Sequence, residues 1–278
     1  MKQFLLSCLL FSGISVSAQY YYKDVIGTNE TAAIIKLYQQ HKVNRVVLNS
    51  FDGDGTKSDA FYVEQSFSPA ANTLKTITRS GITLESVLTT YLNSNGQVAK
   101  TVDSSSGLVS TSIYTYNNEG LLINVNQSSI DTSNNFSQFE EHQWQYENGK
   151  VSRLLRIKNR KDTAIIIFKL DNAGNVSEEQ STRNGIASDP VYYYYDDQNR
   201  LTDIVRYNNK VRKLLPEYMF EYSGSNQVIQ KITVPSNSSD YLIWRFQYDN
   251  RGLKIKEAIY NKQKQLNGKI EYVYSFGS

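Results

Sequence analysis

Pairs of hydrophobic residues separated by one other residue recur along the chain, and each pair is followed by a polar turn and a further apolar residue. Copies begin at Tyr114, Trp144, Phe168, Tyr193, Phe220, Phe246 and Tyr272, and a weaker copy without this spacing begins at Thr90. The second hydrophobic positions fall at Tyr91, Tyr116, Tyr146, Leu170, Tyr195, Tyr222, Tyr248 and Tyr274, about 26 residues apart. A spacing of two residues places both side chains on one face of a strand. The pattern therefore predicts repeated strands with an aromatic face.

A glycine or asparagine occupies one fixed place in the polar turn of seven copies. These residues are Gly96, Gly120, Gly149, Gly174, Asn199, Asn226 and Gly252. Glycine and asparagine enter the left-handed backbone region at low cost. A hairpin with a type I turn and a bulge residue requires such a residue, whereas Glu147-Asn148-Gly149 favours the shorter primed turn. We therefore interpret all seven as structural turn positions.

Each unit is predicted to be a strand, a tight turn, a second strand and a looser return loop, which together form an antiparallel meander. The predicted fold is all-β, with fourteen to eighteen strands in hairpin units. A flat sheet of that width is unfavourable, so we expect a twisted, curled sheet with the tyrosines on its concave side. Whether the sheet closes is left open.

The N-terminal part of the chain is less regular. Residues 31–40 predict a short helix, with Ala33, Ile34, Leu37 and Tyr38 on one side and Asn29 as its cap. We interpret residues 19–89 as a capping region that covers the first sheet edge, with the helix against one end. It is continuous with the repeat region, residues 90–278, as one domain.

Residues 1–18 have the pattern of a secretory signal peptide: a short basic start, an apolar run and small residues, with cleavage after Ala18. Lipidation of Cys8, the chain's one cysteine, is the alternative. Either route predicts an exported protein, located in the periplasm, on the outer surface or outside the cell. Removal of Cys8 with the leader leaves no thiol for a disulfide or a metal.

The unit from Tyr195 to Leu201, with its Tyr-Asp pair and Arg200-Leu201, resembles the YD repeat of the Rhs and teneurin family, and the unit at Tyr248-Asp249 is similar. The resemblance covers residues 90–278. It implies a spiralling β-sheet of a kind associated with carbohydrate binding or with shells around toxins, but this chain is too short to enclose another domain. The leader and the repeat together resemble exported proteins of Bacteroidetes.

Charge and motifs exclude several classes of function. The formal net charge is +3 with both signs scattered, which does not fit a nucleic-acid-binding face. No later segment is long and apolar enough for a transmembrane helix. His41 and His142 lack metal-ligand spacing, and Asp52-x-Asp54-Gly55 lacks the closing glutamate of a calcium loop. We therefore predict no catalytic residues, no metal and no cofactor.

The run of four tyrosines at 192–195 exceeds what the repeat requires. Tyr193 and Tyr195 hold the packed positions, so Tyr192 and Tyr194 point the other way and are the candidate ligand-binding residues. The tyrosines at 20–22 are also unexplained by the repeat. We expect an exported non-catalytic protein that binds a glycan or a surface protein; a structural component of the cell envelope and a glycan-active enzyme are the alternatives. The oligomeric state stays open.

Overall fold

The structure is a computed structural model that describes residues 20–58, 61–81, 85–235, 238 and 240–277. The predicted signal peptide, residues 1–18, lies outside the described residues. The described chain contains one helix, α1 (Lys23–Gln40), followed by strands throughout.

The strands, in chain order, are β1 (Val43–Asp52), β2 (Phe61–Ser68), β3 (Thr73–Ser80), β4 (Ser86–Leu92), β5 (Val98–Ser105), β6 (Leu108–Tyr116), β7 (Leu122–Asp131), β8 (Phe136–Glu147), β9 (Lys150–Lys158), β10 (Asp162–Leu170), β11 (Val176–Arg183), β12 (Ile186–Ala187), β13 (Val191–Tyr195), β14 (Leu201–Asn208), β15 (Lys213–Tyr222), β16 (Val228–Thr233), β17 (Leu242–Tyr248), β18 (Lys254–Tyr260) and β19 (Leu266–Phe276).

The strands form a closed antiparallel barrel. Each strand pairs with the next in sequence, except that β11 pairs with both the two-residue β12 and with β13. β1 pairs with β2 on one side and with β19 on the other, so eighteen described strands form a ring and β12 is a spur on it. The sequence predicts a twisted, curled sheet and leaves its closure open; the structure shows a closed barrel instead of a curled sheet, and the all-β antiparallel fold is confirmed. Closure satisfies the two edges that an open sheet leaves unpaired.

The polar turns share one hydrogen-bonding scheme. In the turn after β13, the Asp196 N–H donates to the carbonyl of Arg200, and the Asn199 N–H donates to the carbonyl of Asp196. The seven glycine and asparagine positions all have positive φ, from 58° at Asn199 to 84° at Gly174. In all seven turns the flanking strands pair with a shift of one residue, which is a β-bulge. In the turn after β8, Asn148 and Gly149 also both have positive φ, as a primed turn requires. Bulges at the same place increase strand twist and favour rolling into a barrel.

The first copy of the repeat was misaligned by one residue. Thr90 and Leu92 are buried, whereas Tyr91 is 38 % exposed on the other face of β4. Leu92 directly precedes the turn residue Asn93, as Tyr116 precedes Asn117. The second hydrophobic position of that copy is therefore Leu92, and the aromatic ring of Tyr91 misled the alignment.

Tyrosine hydroxyls link successive units across the inner face of the wall. In six units, the tyrosine at the second hydrophobic position donates a hydrogen bond to the carbonyl of the residue that opens the second strand of the preceding unit. The pairs are Tyr116–Val98, Tyr146–Leu122, Tyr195–Val176, Tyr222–Leu201, Tyr248–Val228 and Tyr274–Lys254, at 2.7–2.9 Å. Burial raises the pKa of Tyr222 to about 12, so its hydroxyl stays a donor at neutral pH. Phenylalanine cannot replace this bond, so these six positions account for part of the excess of 21 tyrosines over 11 phenylalanines.

The helix lies inside the barrel, which corrects the expected position against one end. It begins at Lys23, not at Thr31, and Asn29 is an exposed residue of its second turn, not its cap. Its side chains meet strands from well-separated parts of the ring: Asp24 meets His142 of β8, and Tyr38 meets Gln65 of β2 and Tyr274 of β19. Within the described ranges, no helix has the length and apolar character that crossing a membrane requires.

Two hydrophobic clusters fill the space between helix and wall. One surrounds the C-terminal half of α1, where Ile35 and Tyr38 pack among residues of β1 to β5, Leu253 and β19. The other surrounds the segment before the helix and is built from β7 to β14 with Trp144 and Phe168 stacked at its centre. The helix therefore serves as the core that a barrel of this width would otherwise lack.

Candidate functional site

The three consecutive tyrosines that precede the helix pack into the barrel interior. The Tyr20 ring meets the rings of Tyr193 and Tyr218, and the Tyr22 ring meets those of Tyr193 and Phe168. Centroid separations of 5.8–6.3 Å at steep interplanar angles are the favourable edge-to-face arrangement. The repeat does not explain these tyrosines because their role is to fix the entry of the helix.

Glu179 of β11 caps the N-terminus of the helix from the barrel wall. Its carboxylate accepts hydrogen bonds from the backbone N–H groups of Tyr21 and Tyr22, at 2.7 and 2.9 Å, and from the hydroxyl of Tyr193 at 2.8 Å. The helix has no capping side chain of its own, so Glu179 supplies the acceptor that the first amides need. Burial raises the pKa of Glu179, against the effect of these three donors.

A buried chain of charges continues from the first turn of the helix. Asp24 lies 2.5 Å from Nδ1 of His142, whose Nε2 lies 2.9 Å from Glu140. Glu140 also accepts a hydrogen bond from Arg156 at 2.9 Å. We call Asp24, His142, Glu140 and Arg156 the helix anchor.

The pKa values of the anchor follow from its geometry. Burial alone lowers the pKa of His142, but the carboxylates of Asp24 and Glu140 outweigh it and raise that pKa to about 9. Burial raises the pKa of Glu140, but its hydrogen bonds to His142 and Arg156 reverse the shift and lower that pKa to about 2. At neutral pH a cationic imidazole is therefore held between two carboxylates.

The anchor has the residue types of an acid–base site but not the access. His142 is 2 % exposed, and both of its ring nitrogens are occupied by carboxylates. A general base needs to reach a proton of its substrate, and here the accessible face is missing. Among the described residues, no group of three or more His, Cys, Asp or Glu side chains could hold a metal ion. The arrangement positions the helix.

The two candidate binding residues lie on the outer face of β13. Tyr193 and Tyr195 point inward, and Tyr194 is 50 % exposed while Tyr192 is half-buried. Tyr194 lies opposite Asp203 of β14, and Tyr192 lies opposite Glu178 of β11, which accepts a hydrogen bond from Lys169 at 2.7 Å. The structure thus brings two rings together with charged groups on one outer strip.

Other sequence-level expectations can be located directly. Asp196 and Asp249 accept hydrogen bonds from amides of their own turns, which confirms their predicted role. The Asp52 segment is a hairpin turn, with the Gly55 N–H donating to the carbonyl of Asp52. His41 lies at the C-terminal end of α1, far in sequence from the anchor.

Sequence reasoning missed Glu179, Asp24 and the pairing of Glu140 with His142. Glu179 stands in a polar stretch, Ser177 to Ser181, that gives no sign of burial. Glu140, His142 and Trp144 are spaced two residues apart and therefore share one face of β8, whereas Glu141 and Gln143 lie on the other face. Because Trp144 is buried, this spacing indicates that the ionisable Glu140 and His142 also point inward. Placed on the inner face, that pair needed charged partners, which Asp24 of the helix and Arg156 of β9 supply.

Comparisons with known proteins give structural likeness alone. No family model matches the chain, and no curated protein matches it. Among solved structures, the chain is similar to a Bacteroides uniformis porin-like protein, with 12 % identity, a TM-score of 0.38 and coverage of 84 % of this chain and 98 % of that one. It is also similar to the TcdB2-TccC3-Cdc42 complex, with 13 % identity, a TM-score of 0.38 and coverage of 78 % of this chain but only 12 % of the other. A third is the Photorhabdus luminescens Tc holotoxin pore, with 11 % identity, a TM-score of 0.33 and coverage of 84 % and 16 %.

Proposed function

We propose that this protein is an exported, non-catalytic barrel that binds a glycan at the cell surface or outside the cell through tyrosines on its outer wall. The observation that carries the proposal is the outward strip formed by Tyr192, Tyr194 and Tyr207. Tyr207 is 38 % exposed. It lies on the outer face of β14, because successive side chains of a strand alternate and its neighbour Arg206 points inward.

The interior supports an outward-facing binding surface. The helix and its preceding tyrosines occupy the centre of the barrel, and the four residues of the anchor pair with one another there. The tyrosine hydroxyls of the inner face are bonded to carbonyls of the wall. A ligand inside the barrel would have to displace part of the protein's own core.

The chemistry of the outer wall supports contact with water and with polar ligands. Charged pairs cross neighbouring strands on this face, including Arg45–Glu64 between β1 and β2 and Lys169–Glu178 between β10 and β11. Surfaces that face lipid are apolar. Isolated exposed pairs of this kind contribute little stability, so their main effect is to make the outer face of the barrel polar and hydrated.

The strip itself suits the faces of sugar rings. Tyrosine offers a rigid apolar face together with a hydroxyl that can bond to a sugar hydroxyl. Asp203 and Glu178 lie opposite the two rings of β13 and supply acceptors beside them. Rings held on a barrel wall lose little conformational entropy when they bind.

The test is a glycan array followed by calorimetric titration of the best glycan. Tyr194→Ala should weaken binding by ~10-fold, which corresponds to about 1.4 kcal/mol. Tyr91→Ala is the matched control, because Tyr91 is also an outward tyrosine but lies on β4, away from the strip.

Equal losses in the two variants would show that the strip is not the binding surface. If no glycan binds and the chain instead retains a protein from culture medium through the same tyrosines, the ligand class in this proposal is wrong.

A further inference from the structure

The barrel wall has a break beside the tyrosine strip. β13 pairs with β11 only at Val191 and Tyr192, and the spur β12 pairs with the last two residues of β11. On the other side, β14 continues past Arg206 to Asn208, and within the described chain these last residues pair only with β15. The wall is therefore not continuously hydrogen-bonded between the spur and the end of β14.

A cavity of about 80 Å³ lies at this break. Its lining includes Ser181, Ser188, Asp189 and Arg206, together with Glu179 and Tyr21 of the helix entry. One water needs about 10–15 Å³ of such space, so the cavity holds several waters or one edge of a small polar molecule. Ser188 and Asp189 are exposed, which opens the cavity to the outside.

Arg206 has unused hydrogen-bonding capacity at this cavity. Its guanidinium lies 2.5 Å from Glu217 at Nε, but Nη2 is buried and has no hydrogen-bond partner among the described residues. Buried guanidinium N–H groups without acceptors are costly, and a ligand or water that accepts from them removes the cost. Arg206 is therefore a lining residue of the cavity whose hydrogen-bonding capacity the described part of the protein does not fully satisfy.

The other lining groups define the class of ligand. The hydroxyl of Ser181 donates to that of Ser188 at 3.0 Å and can accept further, the hydroxyl of Ser188 donates to the carbonyl of Asp189, and the carboxylate of Asp189 accepts. Carboxylates at Asp189, Glu179 and Glu217 offset the single guanidinium, which disfavours an anion. Vicinal hydroxyls of a neutral sugar both donate and accept, so they match this mixture.

We propose that the cavity binds the diol edge of a neutral terminal sugar whose chain continues over the outer tyrosines. This inference rests on the proposed function, because it names the sugar class that the same surface recognises. Arg206 and Asp189 would bond to adjacent hydroxyls, and the serine pair would close the site. The break in the wall is then the place where a glycan end enters.

The experiment is an amide NMR titration of the full chain with the methyl glycosides of glucose, galactose and mannose, and with the matching uronates. At millimolar neutral glycoside, the amide signals of Ser181, Ser188 and Tyr21 should shift. Asp189→Ala should weaken this binding at least tenfold. Asp197→Ala is the matched control, since Asp197 is an exposed carboxylate in the turn at the other end of β13.

Each outcome separates the two proposals. Glycan binding that depends on Tyr194 without shifts at the cavity overturns the cavity and leaves the proposed function standing. Cavity shifts with binding that ignores Tyr194 support the cavity and overturn the strip. Shifts caused by the uronates alone, or equal effects of Asp189→Ala and Asp197→Ala, overturn the assignment of a neutral sugar.

Discussion

The two ends of α1 are held in the barrel by different chemistry. At the N-terminal end, Asp24 joins a buried charge cluster and Glu179 caps the amides. At the C-terminal end, Ile35 is fully buried among aliphatic residues, and the hydroxyl of Tyr38 makes one hydrogen bond, to Gln65. Charges in a low-dielectric interior demand one geometry, whereas apolar contacts tolerate small shifts. The comparison teaches that the anchor sets the position of the helix and the apolar end supplies much of its burial.

The largest expected effect comes from removing the cation of the anchor. His142→Ala leaves Asp24 and Glu140 buried with one shared partner fewer, and we expect a loss of about 3–5 kcal/mol in the free energy of unfolding, measured by urea denaturation. His41→Ala is the control, because His41 is only partly buried and lies outside the anchor, and it should change stability by less than about 0.5 kcal/mol. Similar losses in the two variants would mean that the anchor is not what holds the helix.

The pH dependence of stability sharpens the same contrast. The pKa of His142 is raised from 6.5 to about 9, so its contribution is fully present below pH 6.5 and is lost as the pH rises through 9. The pKa of Glu140 is lowered from 4.5 to about 2, so its contribution is present above pH 4.5 and is lost as the pH falls through 2. Stability from the anchor is therefore greatest between about pH 4.5 and 6.5.

Denaturation curves from pH 6 to 9 should show wild type and Ile35→Ala losing stability in parallel. Ile35→Ala starts lower by about 2–5 kcal/mol because it empties an apolar site, while His142→Ala should lose the slope itself. A slope that survives in His142→Ala would assign the pH dependence to other groups.

The smallest expected effect concerns the wall that both helix ends share. Tyr195→Phe removes one hydroxyl bond to the carbonyl of Val176 and should cost about 0.5–1.5 kcal/mol. Leu170 holds the equivalent place in the preceding unit and has no hydroxyl, so Leu170→Phe is the control and should be close to neutral. If both changes are neutral, the tyrosine ladder contributes nothing to the wall.

The repeat could be predicted from the sequence because its physics is local. A strand face of period two, a left-handed residue such as Asn199, and an Asp that bonds its own turn are all decided within a few residues. The inward position of Tyr193 and the outward position of Tyr194 followed from alternation alone. Tyr91 shows where such prediction fails. Its aromatic side chain suggested the inward position, but the distance from the turn assigns that position to Leu92.

Closure and the helix position could not be predicted because they depend on distant partners. Nothing near Val43 in the sequence indicates that it pairs with Phe276, or that Asp24 meets His142. Likewise, the sequence gives no sign that Arg206 differs from other strand residues, and only the structure shows that it lines a cavity with Asp189 and Ser188. Tyr192 and Tyr194 of the strip were thus predictable from the sequence, whereas Tyr207, the anchor and the cavity were not.

The seam between β1 and β19 has a consequence for biogenesis. This seam joins strands from opposite ends of the described chain, and the helix that it encloses precedes β1. The barrel therefore cannot close until β19 has been synthesised and has reached the other strands. Until then the nascent chain exposes two sheet edges with unpaired backbone hydrogen-bonding groups, together with the aromatic side chains of the inner face. A molecule cut short before β19 should therefore be recognised by quality-control proteases and not persist as a smaller barrel.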